Sequence, residues 1–506
     1  MTTEHTPAPD LPTLRWTDGD QTYSAHWHSE RAAPPPKRVV LADDTMSADT
    51  AYRLACEGVG LLWQGDFHNA RMLVQALARR TDRLPERQKF KADKQSARLA
   101  AKHKAGANEA TANHANADQP AVSAGTLAPA NPAAEAFHQH RLAQSQRARV
   151  LGMVLVPLDE AYQITLRRAP DVQLACGEVW GALDAATMQA AQTRLVAEKQ
   201  AAGMLPKPNA TPDSNPEGDE PQAAPYIEPA RPGDKTIKPS KFELKIIQQS
   251  KGAVSHVTSL RELMGMTSSH EWRKKGVEVP ALGQLSSDDV EIYDRIHPHY
   301  GVFSPVRGEY VALVAKAPLP VSAASKAAMV AWDIGTGTGV LAAMLARRGL
   351  QHIVATDQDP RALACARDNV ARLDVGDLVT VVQADMFPPG KAHLIVCNPP
   401  WLPARPGSPI EHAVYDEDSR MLMAFLNGLP AHLAKGGEGW LILSDIAEHL
   451  GLRTRDALLL AIEDAGLKVV ARLQTKPVHP KALDSSDPLH VARSKEVTSL
   501  WRLVAA

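Results

Sequence analysis

The most regular alternation of apolar and polar positions lies in the last third of the chain, from about residue 290 onward. Short apolar runs of strand length alternate there with amphipathic stretches of helix length, which predicts a doubly wound α/β fold around a mostly parallel sheet. Seven strands are predicted, at Met329–Ile334, Ile353–Thr356, Val379–Gln383, Leu394–Cys397, Glu438–Ser444, Lys468–Leu473 and Val497–Val504. Helices are predicted between them, at Val340–Arg348, Pro360–Leu373, Met421–Leu433 and Thr454–Ala465.

Two stretches upstream contain almost no branched apolar residues. Residues 88–135 are rich in Ala, Lys, Asn, Gln and Thr, and residues 201–240 are rich in Pro, Asp, Glu and Asn. Neither composition buries enough surface to offset the entropy of ordering, so both stretches are predicted to be disordered. They divide the chain into an accessory α+β region at 11–200, a disordered linker at 201–240, a helical connector at 241–289 and the regular domain at 290–506.

The accessory region shows weaker patterns of its own. Helical periodicity predicts amphipathic helices at Ala48–Gly58 and Asn69–Arg80. The apolar runs Arg149–Pro157 and Tyr162–Arg168, joined by a short polar turn, predict a β-hairpin. A further helix is predicted at Asp184–Gln200. These pieces favour one small α+β domain that the first disordered stretch interrupts.

Global composition narrows the class of protein but identifies no partner. The chain has 506 residues, 44% of them hydrophobic, and a net charge of −1. Its four cysteines are far apart, so neither a disulfide framework nor a metal site is predicted. The first ten residues are polar, and the apolar run Val150–Leu158 is far shorter than the roughly 20 residues that span a bilayer. A cytoplasmic location without membrane contact is therefore expected.

Local charge is more informative than net charge. The segment Arg71 to Lys104 carries a large excess of Lys and Arg over Asp and Glu. Such a run is typical of a contact with an RNA backbone, but also of a solvated, partly disordered charged segment. The sequence leaves both interpretations open.

Three polar elements follow consecutive predicted strands of the last domain. The first strand runs into the glycine turn Asp333-Ile334-Gly335-Thr336-Gly337-Thr338-Gly339, where glycines let the backbone approach a ligand. Asp357 ends the next strand, at a spacing that lets a carboxylate accept both ribose hydroxyls of a nucleoside cofactor. Asp385 follows the third strand, where it can accept from an adenine amino group. These elements alone do not separate a nicotinamide dinucleotide from S-adenosylmethionine (SAM).

The fourth strand ends in Asn398-Pro399-Pro400-Trp401, and this motif separates the two cofactors. Two consecutive prolines remove two backbone donors and enforce an extended, rigid turn. The Asn398 side chain and the Pro399 carbonyl then accept hydrogen bonds at one point, which suits the two protons of an amino or amide NH₂ group. Trp401 offers a flat face for a base or an amide plane. The motif predicts methyl transfer to a planar nitrogen.

These four elements together resemble the class I SAM-dependent methyltransferases, and more closely the branch with an Asn-Pro-Pro-(Tyr/Phe/Trp) motif. That branch includes release-factor glutamine N-methyltransferases and ribosomal-RNA guanine and adenine N-methyltransferases with the small methyltransferase domain. The resemblance covers about residues 290–506 and includes the segment Tyr300 to Tyr310, which is similar to the one that precedes the glycine turn there. It implies a Rossmann-like seven-stranded sheet whose last strand, Val497–Val504, runs antiparallel.

The resemblance also implies roles for individual residues. Asp333 and the glycine turn would hold the methionine end of SAM, Asp357 its ribose and Asp385 its adenine. The expected cofactor-binding residues are Asp333, Gly335, Thr336, Gly337, Gly339, Asp357, Asp385, Met386 and Asn398. The expected catalytic residues are Asn398, Pro399, Pro400 and Trp401. No metal is expected in the mechanism, because a sulfonium methyl group is already activated and the enzyme mainly aligns donor and acceptor.

Several substrates and one different chemistry remain as hypotheses. The favoured substrate is ribosomal RNA or another nucleic acid, because of the basic run and the large accessory region. A glutamine side chain of a translation factor is the alternative within the same chemistry. A nicotinamide-dependent oxidoreductase or a non-catalytic RNA-binding scaffold would be a different class of protein. The oligomeric state is not predicted.

Overall fold

The fold is taken from a computed structural model, which describes residues 11–82, 131–180, 254–283, 294–320, 328–477 and 484–506. The strands of the first part are β1 Thr13–Asp18, β2 Gln21–His28, β3 Arg38–Ala42, β4 Val59–Trp63, β5 Val154–Leu158 and β6 His256–Ser259. The strands that follow are β7 Val277–Glu278, β8 Arg295–Ile296, β9 Val330–Ile334, β10 His352–Asp357, β11 Val379–Gln383, β12 Ala392–Cys397, β13 Leu433–Ser444, β14 Leu467–Thr475 and β15 Thr498–Ala505.

Helices connect most of these strands. The α-helices are Ala48–Cys56, Pro132–Leu151, Gln173–Trp180, Leu260–Lys275, Glu309–Lys316, Val340–Arg347, Pro360–Arg372, Arg420–His432, Ile446–His449, Arg455–Asp464 and His490–Arg493, and residues 67–82 are also helical. Short 3₁₀ helices cover Pro280–Leu282, Pro409–Ala413 and Glu417–Ser419. Within the described ranges, no helix has the length and apolar character needed to cross a bilayer.

The last domain contains a seven-stranded sheet in the order β11-β10-β9-β12-β13-β15-β14. Strand β15 runs antiparallel to both of its neighbours, and every other adjacent pair in the sheet is parallel. This confirms the predicted Rossmann-like fold, with the last strand reversed. All seven predicted strands and the four predicted helices are present, within a few residues at their ends.

The central strands are apolar throughout because helices cover both faces of the sheet. In β12, Leu394 and Val396 pack into one layer with helix Val340–Arg347, whereas Ile395 and Cys397 pack into the other with helix Arg420–His432. Successive side chains of a strand point to opposite faces, so one short run contributes to both layers. Burial of each such side chain contributes about 1.5–3 kcal/mol, which fixes the carboxyl end of the strand in space.

The first part of the chain forms a separate six-stranded mixed sheet in the order β1-β2-β6-β5-β4-β3. The predicted helix at Ala48–Gly58 is present as Ala48–Cys56, and the one at Asn69–Arg80 lies within helical residues 67–82. The segment from Leu61 to Gly65, which separates them, was not predicted as a strand but contributes most of β4.

The predicted β-hairpin is wrong. Residues Arg149 to Leu151 end the helix Pro132–Leu151, and β5 pairs with β4 and β6. The expected second strand contains two isolated bridges, from Ile164 to Leu158 and from Arg167 to Asp66, and only the first of them joins the two halves of the predicted hairpin. Tyr162 and Arg168 have φ values of 58° and 53°, a left-handed backbone conformation that interrupts an extended strand.

Two further predictions are corrected at their edges. The prediction of disorder over 88–135 is wrong at its end, because Asn131 caps a helix that begins at Pro132, a favoured Asn-Pro helix start. The connector 241–289 is not purely helical, because β6 is an inner strand of the six-stranded sheet. Residues 83–130, the linker at 201–240, the helix predicted at 184–200 and most of the basic run lie outside the described residues.

Candidate active site

A cavity of about 1110 Å³ opens at the carboxyl ends of β9, β10 and β12. This is the edge where open α/β sheets bind ligands, because the connecting loops diverge there. Predicted site residues that line it include Gly335, Thr336, Gly337, Asp357, Asp385, Met386 and the motif from Asn398 to Trp401. The volume exceeds the roughly 300–1,000 Å³ of a typical small-molecule pocket, so it has room for a cofactor and part of an acceptor.

The glycine turn connects β9 to helix Val340–Arg347. Gly337 has a φ of 55°, and its N–H donates to Asp357 at 3.0 Å. Gly339 has a φ of 81°, and a Cβ at this position would lie 3.3 Å from the backbone of Ala366 in the next helix. Only glycine satisfies both the left-handed backbone and this close packing. The turn therefore presents backbone at the start of a helix, where N–H groups suit an anionic ligand group.

Asp333 and Gly339 lie behind the cavity wall rather than on it. Asp333 is 1% exposed, and its Oδ2 accepts from Thr336 Oγ1 at 2.6 Å and from the Ala342 backbone N–H at 3.0 Å. The carboxylate holds the glycine turn and the first helical residues in place through these two bonds, and the turn faces the cavity. Asp333 would therefore help to hold the methionine end of SAM through the turn, and this role stays a prediction.

The pKa of the Asp333 carboxyl group is strongly raised. Burial raises the pKa of its carboxyl group from 3.8 to about 6, and the hydrogen bonds to Thr336 and Ala342 only partly oppose this. Its Oδ1 is buried without a hydrogen-bond partner among the described residues. The folded protein therefore holds a poorly solvated carboxylate directly under the glycine turn.

Asp333→Asn is expected to change how stability depends on pH. A carboxyl group with a raised pKa binds a proton more readily in the folded protein than in the unfolded one. The free energy of unfolding therefore falls as pH rises from about 4 to about 6, by about 3 kcal/mol for this shift. As pH is raised from about 4 to about 7, the melting temperature of the wild type is expected to fall relative to that of the variant. A pH-independent difference between the two proteins would contradict the assignment.

Asp357 and Asp385 lie on the cavity wall, as the sequence predicted. The two Asp357 oxygens each accept one backbone N–H, from Gly337 and from Asp359, both at 3.0 Å. Burial raises the pKa of this carboxyl group. Asp385 is exposed, and its Oδ1 accepts from Gln358 at 2.6 Å. Each carboxylate oxygen keeps a further lone pair for a ligand hydroxyl or amino group.

The Asn398 side chain is held by a contact that the sequence did not reveal. Trp401 donates its indole N–H to Asn398 Oδ1 at 2.9 Å. An amide oxygen has two lone pairs, so this bond orients the amide and leaves one acceptor position. Tyr or Phe, the other residues of the motif, have no ring N–H to donate, so this orientation is specific to Trp.

A charged network beside Trp401, in which Arg307 and Glu496 also line the cavity, was missed in the sequence. The Cζ atom of Arg307 lies 5.1 Å from the centroid of the Trp401 ring, in cation–π range. Arg307 also donates to Glu309 at 2.9 Å and to Glu496 at 3.0 Å, and both carboxylates are almost fully buried. Arg307 and Glu309 lie in the segment Tyr300 to Tyr310, and its similarity to the segment before the glycine turn in the related family could have drawn attention to them. Nothing in the sequence pointed to Glu496.

The cavity fits the cofactor that the resemblance implies. The turn offers backbone donors at a helix start, Asp357 offers carboxylate oxygens for a diol, and the buried, incompletely paired Asp333 gives the turn a negative potential that suits a cation. Asn398 lines the same cavity. The assignment of each residue to a part of SAM stays a prediction.

Comparison with protein families supports the same interpretation. Residues 295–453 match the family described as the Methyltransferase small domain. The match spans the glycine turn, Asp357, Asp385 and the motif from Asn398 to Trp401. The resemblance inferred from the sequence is thereby confirmed.

Individual relatives match only part of the chain. The release factor glutamine methyltransferase of Cereibacter sphaeroides is 33% identical over 175 residues, which are 32% of this chain and 58% of that protein. The tRNA1(Val) (adenine(37)-N6)-methyltransferase of Bacteroides thetaiotaomicron is 35% identical over 130 residues, 23% of this chain and 53% of that protein. The chain thus spans less than two thirds of either relative. The crystal structure of ribosomal protein L11 methylase from Lactobacillus delbrueckii subsp. bulgaricus is 15% identical with a TM-score of 0.27, and covers 39% of this chain and 78% of that one.

Proposed function

We propose that this protein is a SAM-dependent N-methyltransferase that methylates a planar amino or amide nitrogen. The observation that carries the proposal is the position of Asn398, which lines the same cavity as Gly335, Gly337 and Asp357. In this proposal the turn and Asp357 bind the donor, and the motif from Asn398 to Trp401 binds the acceptor. The match of residues 295–453 to the Methyltransferase small domain supports it.

The chain's own groups act mainly by positioning and by oriented dipoles. When bound, SAM supplies an electrophilic methyl group on its sulfonium. Asn398 Oδ1 and the Pro399 carbonyl each accept a hydrogen bond from one N–H of the substrate's NH₂ group. This orientation directs the nitrogen lone pair toward that methyl group. The same oxygens stabilise the positive charge that develops on the nitrogen. The methylated nitrogen then loses a proton readily, so no strong general base is required.

We propose RNA as the acceptor. Four aromatic side chains, Phe303, Tyr310, Trp401 and Tyr415, line the cavity, and a nucleobase stacks on such faces. The basic segment from Arg71 to Lys104 supplies charge for an RNA backbone. The second candidate is a glutamine side chain of a translation factor, favoured by the 33% identity to a release factor glutamine methyltransferase.

Label transfer from SAM tests the proposal and separates the acceptors. The purified full-length chain is incubated with methyl-tritiated SAM and with either total RNA or total protein from cells that lack the gene. Label in RNA nucleosides, identified by mass spectrometry as N-methylated bases, is the expected result. Label in glutamine residues would favour the second candidate. No label in either fraction, or binding of NAD in place of SAM, would overturn the proposed function.

A further inference from the structure

The loop of residues 402–416, directly after the motif from Asn398 to Trp401, lines part of the cavity, and the proposed function places the acceptor beside it. Its residues Leu402, His412, Val414 and Tyr415 line the cavity. A bridge between Leu402 and Tyr415, and a bond of 2.9 Å from the Asp416 N–H to the Leu402 carbonyl, close the base of the loop. This acceptor loop is thus fixed at its base, while its outer face must be held by other elements.

Helix Pro132–Leu151 of the accessory region packs against this loop from outside. Phe137 is 1% exposed and lies in an apolar cluster with Ile446, Leu450 and Leu489 of the last domain. Leu402 and Tyr415 of the acceptor loop, and Trp401 before it, pack against the same cluster. At its other end, the helix buries Leu151 in the core of the accessory region. One helix therefore connects the accessory core to the acceptor side of the cavity.

Arg141 makes the polar contacts between this helix and the loop. Its Cζ atom lies 3.8 Å above the centroid of the Tyr415 ring, and its Nη2 donates to the Arg405 carbonyl at 2.6 Å. Nη2 also lies 3.5 Å from Glu411 Oε2. A planar guanidinium can stack on a ring and donate in its own plane at the same time, which an ammonium cannot.

A second arginine from the accessory region strengthens this arrangement. Arg31, after β2, lies 3.9 Å from the other oxygen of Glu411. Glu411 also accepts from the Gly407 N–H at 2.8 Å, inside the loop. The side chains of Arg31, Arg141 and Glu411 are each about one quarter to one third exposed, so solvent screens their attraction only in part.

We infer that Arg141 is a positioning residue of the acceptor site: it holds Tyr415 and the acceptor loop in the arrangement that admits the acceptor. This inference rests on the proposed function. Arg141 stacks on Tyr415 and is not among the described residues that line the cavity, so it acts on the acceptor through the loop. The accessory region thereby becomes part of the acceptor site in addition to any role as a separate binding module.

The test compares three variants of the full-length chain. Arg141→Ala removes the stacking and the bond to Arg405, Arg141→Lys keeps only a cation, and Arg147→Ala is the matched control. Arg147 lies on the same helix, six residues after Arg141, and pairs with Asp82 of the accessory region at 2.9 Å. The measurements are SAM affinity by calorimetry, tritium transfer from SAM against increasing total RNA or protein from cells lacking the gene, and hydrogen exchange of the 402–416 amides.

Arg141→Ala is expected to raise the apparent KM for the acceptor about tenfold, with kcat and SAM affinity within about twofold. Its 402–416 amides are expected to exchange about tenfold faster than those of the wild type. Arg141→Lys is expected to show intermediate values of acceptor KM and amide exchange, and Arg147→Ala to show wild-type values of both. If the wild type transfers label and Arg141→Ala has the same acceptor KM, the inference is overturned, whatever the amides show. If the wild type transfers no label at all, the proposed function itself fails.

Discussion

Replacing Asn398 with alanine is expected to lower kcat for methyl transfer by a factor of about 100 to 1,000, while SAM affinity stays within about twofold. The variant loses one of the two oxygen acceptors that align the acceptor nitrogen, and the glycine turn and Asp357 keep their geometry. Single-turnover transfer of tritium from SAM measures the chemical step, and calorimetry measures SAM affinity. A variant that no longer binds SAM would contradict the assigned role of Asn398.

Two companion variants sharpen this test. Trp401→Phe keeps a flat ring but removes the indole N–H that donates to Asn398 at 2.9 Å, so a smaller loss, about tenfold, is expected. Asn427→Ala removes an exposed asparagine of helix Arg420–His432 outside the cavity, and wild-type activity is expected. Equal activity of Trp401→Phe and the wild type would mean that the indole bond does not orient Asn398 during turnover.

Asp357→Ala is expected to weaken SAM binding about a hundredfold, which corresponds to about 3 kcal/mol. The variant loses the carboxylate proposed to bind the ribose and also the acceptor for the Gly337 N–H, which shapes the turn. At saturating SAM, the remaining loss in kcat is expected to be much smaller. Calorimetric titration with SAM gives the affinity, and Asp377→Ala, an exposed aspartate outside the cavity, is the matched control.

The same residue predicts a pH dependence. Burial raises the pKa of Asp357, so its carboxylate is lost at a higher pH than that of an ordinary aspartate. SAM affinity of the wild type is therefore expected to fall as pH is lowered through that range, and the affinity of Asp357→Ala to stay nearly constant. Equal pH profiles for the two proteins would place the ribose contact elsewhere.

The last domain was predictable from the sequence because each of its central strands is buried on both faces. Runs such as β12, apolar from Leu394 to Cys397, are distinct at the level of the sequence, and the polar residue after each run then falls at the carboxyl edge of the sheet. The accessory sheet was harder to predict. Its strands β5 and β6 are neighbours in space but far apart along the chain, and no local pattern encodes that pairing.

The site was predictable in its composition but not in its internal contacts. The middle of the glycine turn from Ile334 to Thr338, Asp357, Asp385 and the motif from Asn398 to Trp401 do line one cavity. The inward bonds of Asp333 were not foreseen, because spacing places a residue near an edge without saying which way its side chain points. The approach of Arg141 to Tyr415 was equally hidden, since these residues belong to different parts of the chain and meet only in the folded structure.

Strand β15 runs against its neighbours, and this reversal has a consequence for where functional side chains are to be sought. The parallel strands end at the cavity, so the residues that follow them lie there. The antiparallel strand begins at the cavity, so the residues that precede it lie there. Glu496, two positions before β15, reaches the cavity rim in this way and holds Arg307. A mutational survey confined to the loops after strands would therefore sample only part of the rim, and a search in this topology needs to include the approach to the reversed strand.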